Sequence, residues 1–190
     1  MRLKTLAVFA AALSLAGCQS VRDTLREPEP NPGPCPNALA LYDAHRLVEI
    51  KGEEMIYENV GFTGEVLNVV SRCRYTNRDA SPINMSVGVR LAFGRGPAAA
   101  GDARTYEMFV AVTGFDSAVI EKQTFPVEVR FRPGQDRVVV EEIFDPVTIP
   151  RAANDTSGVN FEVLVGFELT EEQLDFNRSG LRFRVDAGQD

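Results

Sequence analysis

Histidine occurs once in the 190 residues, as His45, and tryptophan does not occur at all. A structural zinc site takes four ligands in paired spacing, and with one imidazole that set cannot be completed. No Gly-x-Ser-x-Gly stretch or other nucleophile motif lies near His45, so it reads as a structural or solvated side chain rather than a general base. No apolar run reaches the roughly 20 residues of a membrane-crossing helix; residues 6–15 form a run too short to span. Lysine is confined to Lys4, Lys51 and Lys122, and 20 Lys and Arg face 27 acids for a net charge of −7. Such a surface repels phosphate polymers and anionic lipid, because counterion release needs clustered cations. Nucleic acid is not an expected partner.

What the chain does have begins at its N-terminus. Arg2 and Lys4 precede the apolar residues 6–15, and small residues follow, which is the layout of an export signal over residues 1–17. One reading is an ordinary signal with an incidental cysteine. Leu15-Ala16-Gly17-Cys18, however, resembles the bacterial lipobox. The resemblance implies that the Cys18 thiol carries diacylglycerol, that the peptide is cut before Cys18, and that the new amine is acylated. It also implies the periplasmic face of the outer membrane, since Gln19 stands where aspartate would retain a lipoprotein at the inner one. Each buried methylene contributes about 0.8 kcal/mol, so this anchor would be permanent. Without residues 1–17 the balance is 18 Lys and Arg against 27 acids, about −9.

Residues 18–37 read as a tether. Pro28, Pro30, Pro32, Pro34 and Pro36 alternate with other residues, fixing φ and removing donors, so the segment is extended at about 3.1 Å per residue. It would let a domain stand about 50 Å from the bilayer by the same rise. A ligand for an aromatic groove is the alternative use of such a sequence. Past Cys18, Cys35 and Cys73 remain. In an oxidising compartment they are expected to form a disulfide, closing a loop of about 39 residues and adding at most about 4 kcal/mol; two free thiols too far apart to bridge are the other possibility.

Residues 38–190 suffice for one domain. Met85, Val87, Val89, Leu91 and Phe93 alternate with smaller or polar residues, as do Phe125, Val127, Val129 and Phe131. Val159, Phe161, Val163, Val165, Phe167 and Leu169 make the longest such row and suggest a central strand. Weaker strands are expected at 45–51, 65–75, 105–113, 137–143 and 181–185, with Pro146 and Pro150 bracketing an edge piece. Only residues 170–178 look helical: Thr170 and Gln173 fit a capping box, and Gly180 would end the helix. Around eight strands argue for an all-β, antiparallel two-sheet sandwich with one short helix near the C-terminus. Strand number and length resemble immunoglobulin-like modules, although no tryptophan is present to pack on a Cys35–Cys73 bridge. The segments VGVRLAFGRGP and NFEVLVGFELTEEQLDFNR are similar to uncharacterised lipoproteins of Gram-negative bacteria, a likeness that carries no activity.

The remaining chemistry is thin. Glu53-Glu54, Glu141-Glu142 and Glu171-Glu172 are paired acids, but neighbours in a strand point to opposite faces and acids in a helix's first turn favour its dipole. A carboxylate-based glycan hydrolase is therefore the least favoured function. Gly94-Arg95-Gly96 lacks the rest of a phosphate loop, and Asn154 and Asp155 lack the carboxylate series of a calcium site. No metal or cofactor is expected. Arg90, Arg130, Arg132, Arg182 and Arg184 fall on alternating positions and, on adjacent strands, would form a row able to grip carboxylates or phosphates of peptidoglycan or surface glycan. The plainer reading pairs them with Glu128, Glu162 and Glu168. The leading expectation is a non-enzymatic envelope module that binds or scaffolds another protein, with glycan binding through the arginine row as the alternative.

Overall fold

A computed structural model describes residues 33–75, 82–114, 116–151 and 157–183. The export-signal and Cys18 assignments lie outside these residues, as do Arg184, Asn154 and Asp155. Among the described residues, eight strands and one α-helix follow in order: β1 (Asn37–Ala40), β2 (Arg46–Ile50), β3 (Val60–Tyr75), β4 (Ile83–Arg95), β5 (Ala103–Gly114), β6 (Val119–Arg130), β7 (Arg137–Ile149), β8 (Phe161–Phe167) and α1 (Glu171–Arg178). The strands form two four-stranded sheets, ordered β1-β8-β5-β6 and β2-β3-β4-β7. Every pairing is antiparallel except β1 with β8. The expected β-sandwich is therefore the observed one.

The period-two rows form its interior. Val87, Val89, Leu91 and Phe93 of β4 face Tyr106, Met108, Val110 and Val112 of β5 together with Phe161, Val163, Val165 and Phe167 of β8 in one buried cluster. Aromatic rings mark its centre, with Phe93 and Tyr106 4.2 Å apart and Phe167 edge-on to Phe93 at 6.1 Å. As expected, β8 lies inside its sheet, between β1 and β5.

The central connections resemble those of immunoglobulin-like domains, in which strand B pairs with E and C with F. Here β4 pairs with β7 and β5 with β8, and the chain crosses between sheets from β4 to β5 and again from β7 to β8. The departure comes at the last strand. Of the strand expected at 181–185, Leu181–Phe183 carry no strand, and residues 184 and 185 lie outside the described set. Phe183 instead stacks on Phe176 of α1, centroids 6.0 Å apart, and packs with Val48 and Val60. The position beside β8 is taken by β1, four residues running parallel to it.

That short strand is fastened from outside. Cys35 and Cys73 form a disulfide with Cα atoms 5.7 Å apart, joining the run into β1 to β3 of the opposite sheet. The Tyr75 hydroxyl donates to the Pro34 carbonyl at 2.7 Å and accepts the Gly158 N–H at 2.8 Å. Gly158 must be glycine for this: a Cβ there would sit 2.4 Å from the Pro34 carbonyl oxygen. Asn37, the last residue assigned to the tether, is thus already the first of β1.

Two differences in length have local causes. β3 begins at Val60 rather than 65, because Gly61 and Gly64 sit inside the strand against neighbouring atoms instead of breaking it. β7 continues through Pro146 to Ile149, which an edge strand tolerates because an outward N–H is not needed. Pro126 lies likewise in β6, the edge of the other sheet. The free edge of β2 is covered by α1, whose capping box of Thr170 and Gln173 is formed as expected and whose end is followed by Gly180 at φ +78°. Gln173 Nε2 donates to the Val48 carbonyl at 3.3 Å, and Asn177 Nδ2 to the Arg46 carbonyl at 2.9 Å and the Asp43 carbonyl at 2.8 Å. Replacing Gln173 or Asn177 with alanine is expected to cost about 1 kcal/mol each, read by urea unfolding; unchanged midpoints for both would show that these amides do not hold the helix on the edge.

Candidate functional site

The end of the sandwich where α1 sits carries a groove of about 600 Å3, lined by the last residues of β2, the loop after it, Arg104 of β5 and the first turns of α1. Its charged lining is Glu49, Lys51, Glu53, Arg104 and Glu172; Val48, Met55 and Phe176 supply apolar surface. Alternation places Arg104 on the same face of β5 as Tyr106, towards the other sheet. Its Nε donates to Glu49 Oε1 at 2.6 Å and a terminal nitrogen meets the same oxygen, so a guanidinium of one sheet is tied to a carboxylate of the other. Lys51 Nζ approaches Glu49 Oε2 at 3.8 Å. The Glu49 side chain is only 11% exposed, so both cations of the groove serve one largely buried carboxylate. The arrangement is an ionic strut between the sheets.

Tyr106 lies directly beneath this strut. Burial pushes its phenol well above the ordinary tyrosine value, the Glu49 carboxylate pushes it further, and Arg104 partly opposes both. Its hydroxyl donates to the Thr63 carbonyl at 3.3 Å. The phenol therefore stays protonated and acts as a donor inside the core.

The structure separates the arginines. Arg90 is on β4, opposite Glu141 of β7 and 3.9 Å from its carboxylate. Arg130 ends β6 in the other sheet, and Arg132 follows in an exposed loop where its backbone N–H donates to Gln135 Oε1 at 3.2 Å. Arg182 is exposed after α1. A row joining Arg90 to Arg130 does not form, because alternation tells which face a side chain takes and not which sheet its strand joins. Of the acids expected to pair with arginine, Glu168 instead takes Lys122 at 2.7 Å and the Thr124 hydroxyl at 3.1 Å.

His45 closes the 3-10 turn Tyr42–Ala44, with Nδ1 against the Tyr42 carbonyl and its ring 5.7 Å from that of Tyr42. Glu171 and Glu172 fall in the first turn of α1. Among the described residues no group of three or more His, Cys, Asp or Glu is placed to hold a metal ion. Arg104, Glu49 and Tyr75 were not singled out from the sequence. The one available signal was parity: Arg104 stands two residues before Tyr106 in an inward row. No protein-family model, curated protein or solved structure matches the chain.

The Tyr106 environment fixes the sign of an alkaline effect. In the unfolded chain this phenol ionises near pH 10, whereas in the fold it stays protonated, so above that pH the unfolded state binds fewer protons and stability falls as pH rises. Between about pH 9 and 11, urea unfolding of the wild type is expected to lose about 1 kcal/mol more than Tyr106→Phe, whose other tyrosines cancel in the comparison. Equal losses would mean that Tyr106 titrates as if exposed.

Proposed function

We propose that the chain is an exported lipoprotein whose β-sandwich is held by Cys18 to the periplasmic face of the outer membrane of a Gram-negative bacterium. There it serves as a non-enzymatic module that binds or scaffolds another envelope protein. The observation that carries this reading is the Cys35–Cys73 disulfide, a bond that persists in oxidising compartments such as the periplasm and is scarce in the cytosol. Its position adds to the argument. A covalent link at the mouth of the proline-rich segment transmits the hold of the anchor directly into two sheets, which suits a domain kept at a distance from a membrane. The lipobox-like residues 15–18 supply the anchor, and the acidic surface suits a module that stands clear of anionic lipid.

The expected result for the full-length protein in a Gram-negative host is palmitate incorporation and recovery with outer membranes, both lost in Cys18→Ser, and a distinct envelope protein captured by crosslinking in intact cells. An unacylated mature terminus in mass spectra, with unlabelled protein in the soluble fraction, would contradict the anchor.

A further inference from the structure

Three of the four lateral edges of the sandwich are visibly managed: β1 is four residues long and fastened by the disulfide, β2 is covered by α1, and β6 carries Pro126. β7 is different. Its pairing with β4 keeps one register from Gly94↔Arg137 to Val87↔Phe144 before a bulge at Asp145 and Pro146 interrupts it. Just outside this stretch the Arg95 N–H donates to the Asp136 carbonyl at 2.8 Å, in the same register. Hydrogen-bonding residues alternate along an antiparallel strand. Residues 136, 138, 140 and 142 therefore bond to β4, and residues 137, 139, 141 and 143 turn their N–H and C=O groups to the free edge.

Those outward residues are complementary to themselves. Alternation puts Arg137, Val139, Glu141 and Ile143 on the outer face, where Val139 is 37% and Ile143 73% exposed, while Val138 and Val140 pack against the core. The Arg137 Nε is buried with no hydrogen-bond partner, so a donor of this guanidinium is unspent. We propose that two copies of the chain associate by antiparallel pairing of residues 137–141 of β7 about a two-fold axis through Val139. Outward residues must meet outward residues, which leaves few registers. An axis through residue 141 sets Glu141 against its own copy, and one through 140 sets Arg137 against Ile143. The axis through 139 sets Arg137 against Glu141 of the second copy twice over, Val138 against Val140, and Val139 against itself. Opposite charges facing across strands are stabilising and like charges destabilising, so this register is the one selected. The result is an isologous interface and a continuous eight-stranded sheet, β2-β3-β4-β7 followed by the same strands in reverse. The inference does not rest on the lipid anchor or on an envelope partner.

The test uses the full-length protein purified in detergent. Val139→Cys is expected to link to itself on mild oxidation, since directly opposed residues in such a pair stand about 5.5 Å apart at Cα, within disulfide reach; Glu142→Cys is not. Arg137→Glu and Glu141→Arg should each weaken association about tenfold or more, measured by energy transfer between labelled copies, and the double exchange should restore it. A thermal unfolding midpoint kept by each variant separates loss of pairing from loss of fold. A protein that is monomeric at every concentration tested, or a dimer indifferent to both charge reversals and not trapped through residue 139, would overturn the proposal.

Discussion

The Cys35–Cys73 bond is the constraint on which the described fold turns, because it holds in place a strand too short to hold itself. β1 has four residues, pairs in the less stable parallel sense, and turns only Ala38 and Ala40 towards the core. Its residues could not outweigh the backbone entropy of ordering them at an edge. Yet β8, to which it is bonded, contributes Val163, Val165 and Phe167 to the centre of the core and needs a neighbour on that side. The disulfide and the Tyr75 hydroxyl, which ties Pro34 to Gly158, bring the run before β1, β3 and the start of β8 together at one point. In immunoglobulin-like sandwiches that flank is completed by a final antiparallel strand; here the beginning of the domain completes it.

The opposite end of the sandwich is joined by charge instead of a covalent bond. Arg104 reaches from β5 to Glu49 of β2, and the pair lies over Tyr106, whose ring packs on Phe93 and whose hydroxyl is spent on Thr63. Glu49 is the buried member, and sharing it between the half-exposed Arg104 and Lys51 offsets the cost of its desolvation. α1 adds the third closure by giving side-chain amides to carbonyls that β2 would otherwise offer to solvent or to another chain. The domain thus closes one edge by a covalent staple and another by a helix, and leaves β7 as the strand with a regular open run.

Much of this was legible from residues alone where the signal is local. Alternation located β4, the second half of β6, and β8, because each turns one face into the core and nothing else accounts for Val87, Val89 and Leu91 at every second place. The helix was legible from Thr170, Gln173 and Gly180, whose roles depend on neighbours within one or two turns. The disulfide was expected from the two cysteines left over if Cys18 belongs to an export signal and lipid anchor. β1 was not legible: NALA after five alternating prolines is too short to show a period, and a parallel neighbour more than 120 residues away leaves no local trace. The arginine row failed for the same kind of reason, since Arg90 and Arg130 have like parity on strands of different sheets. The segment LRFRV shows a strand's alternation, but by residue 183 its apolar side has been used on Phe176 and Val48.

The central claim is that a covalent link keeps β1 on the sandwich, and hydrogen exchange followed residue by residue on the oxidised and reduced protein tests it most directly. With the bond intact, the amides that fasten this strand, such as Leu41 N–H on the Val165 carbonyl, should be protected about as well as those of β4. After reduction they should exchange far faster than those of β4, as β1 opens by itself. If β1 and β4 remain level after reduction, the strand is held by its own contacts and the disulfide is not what keeps it in place.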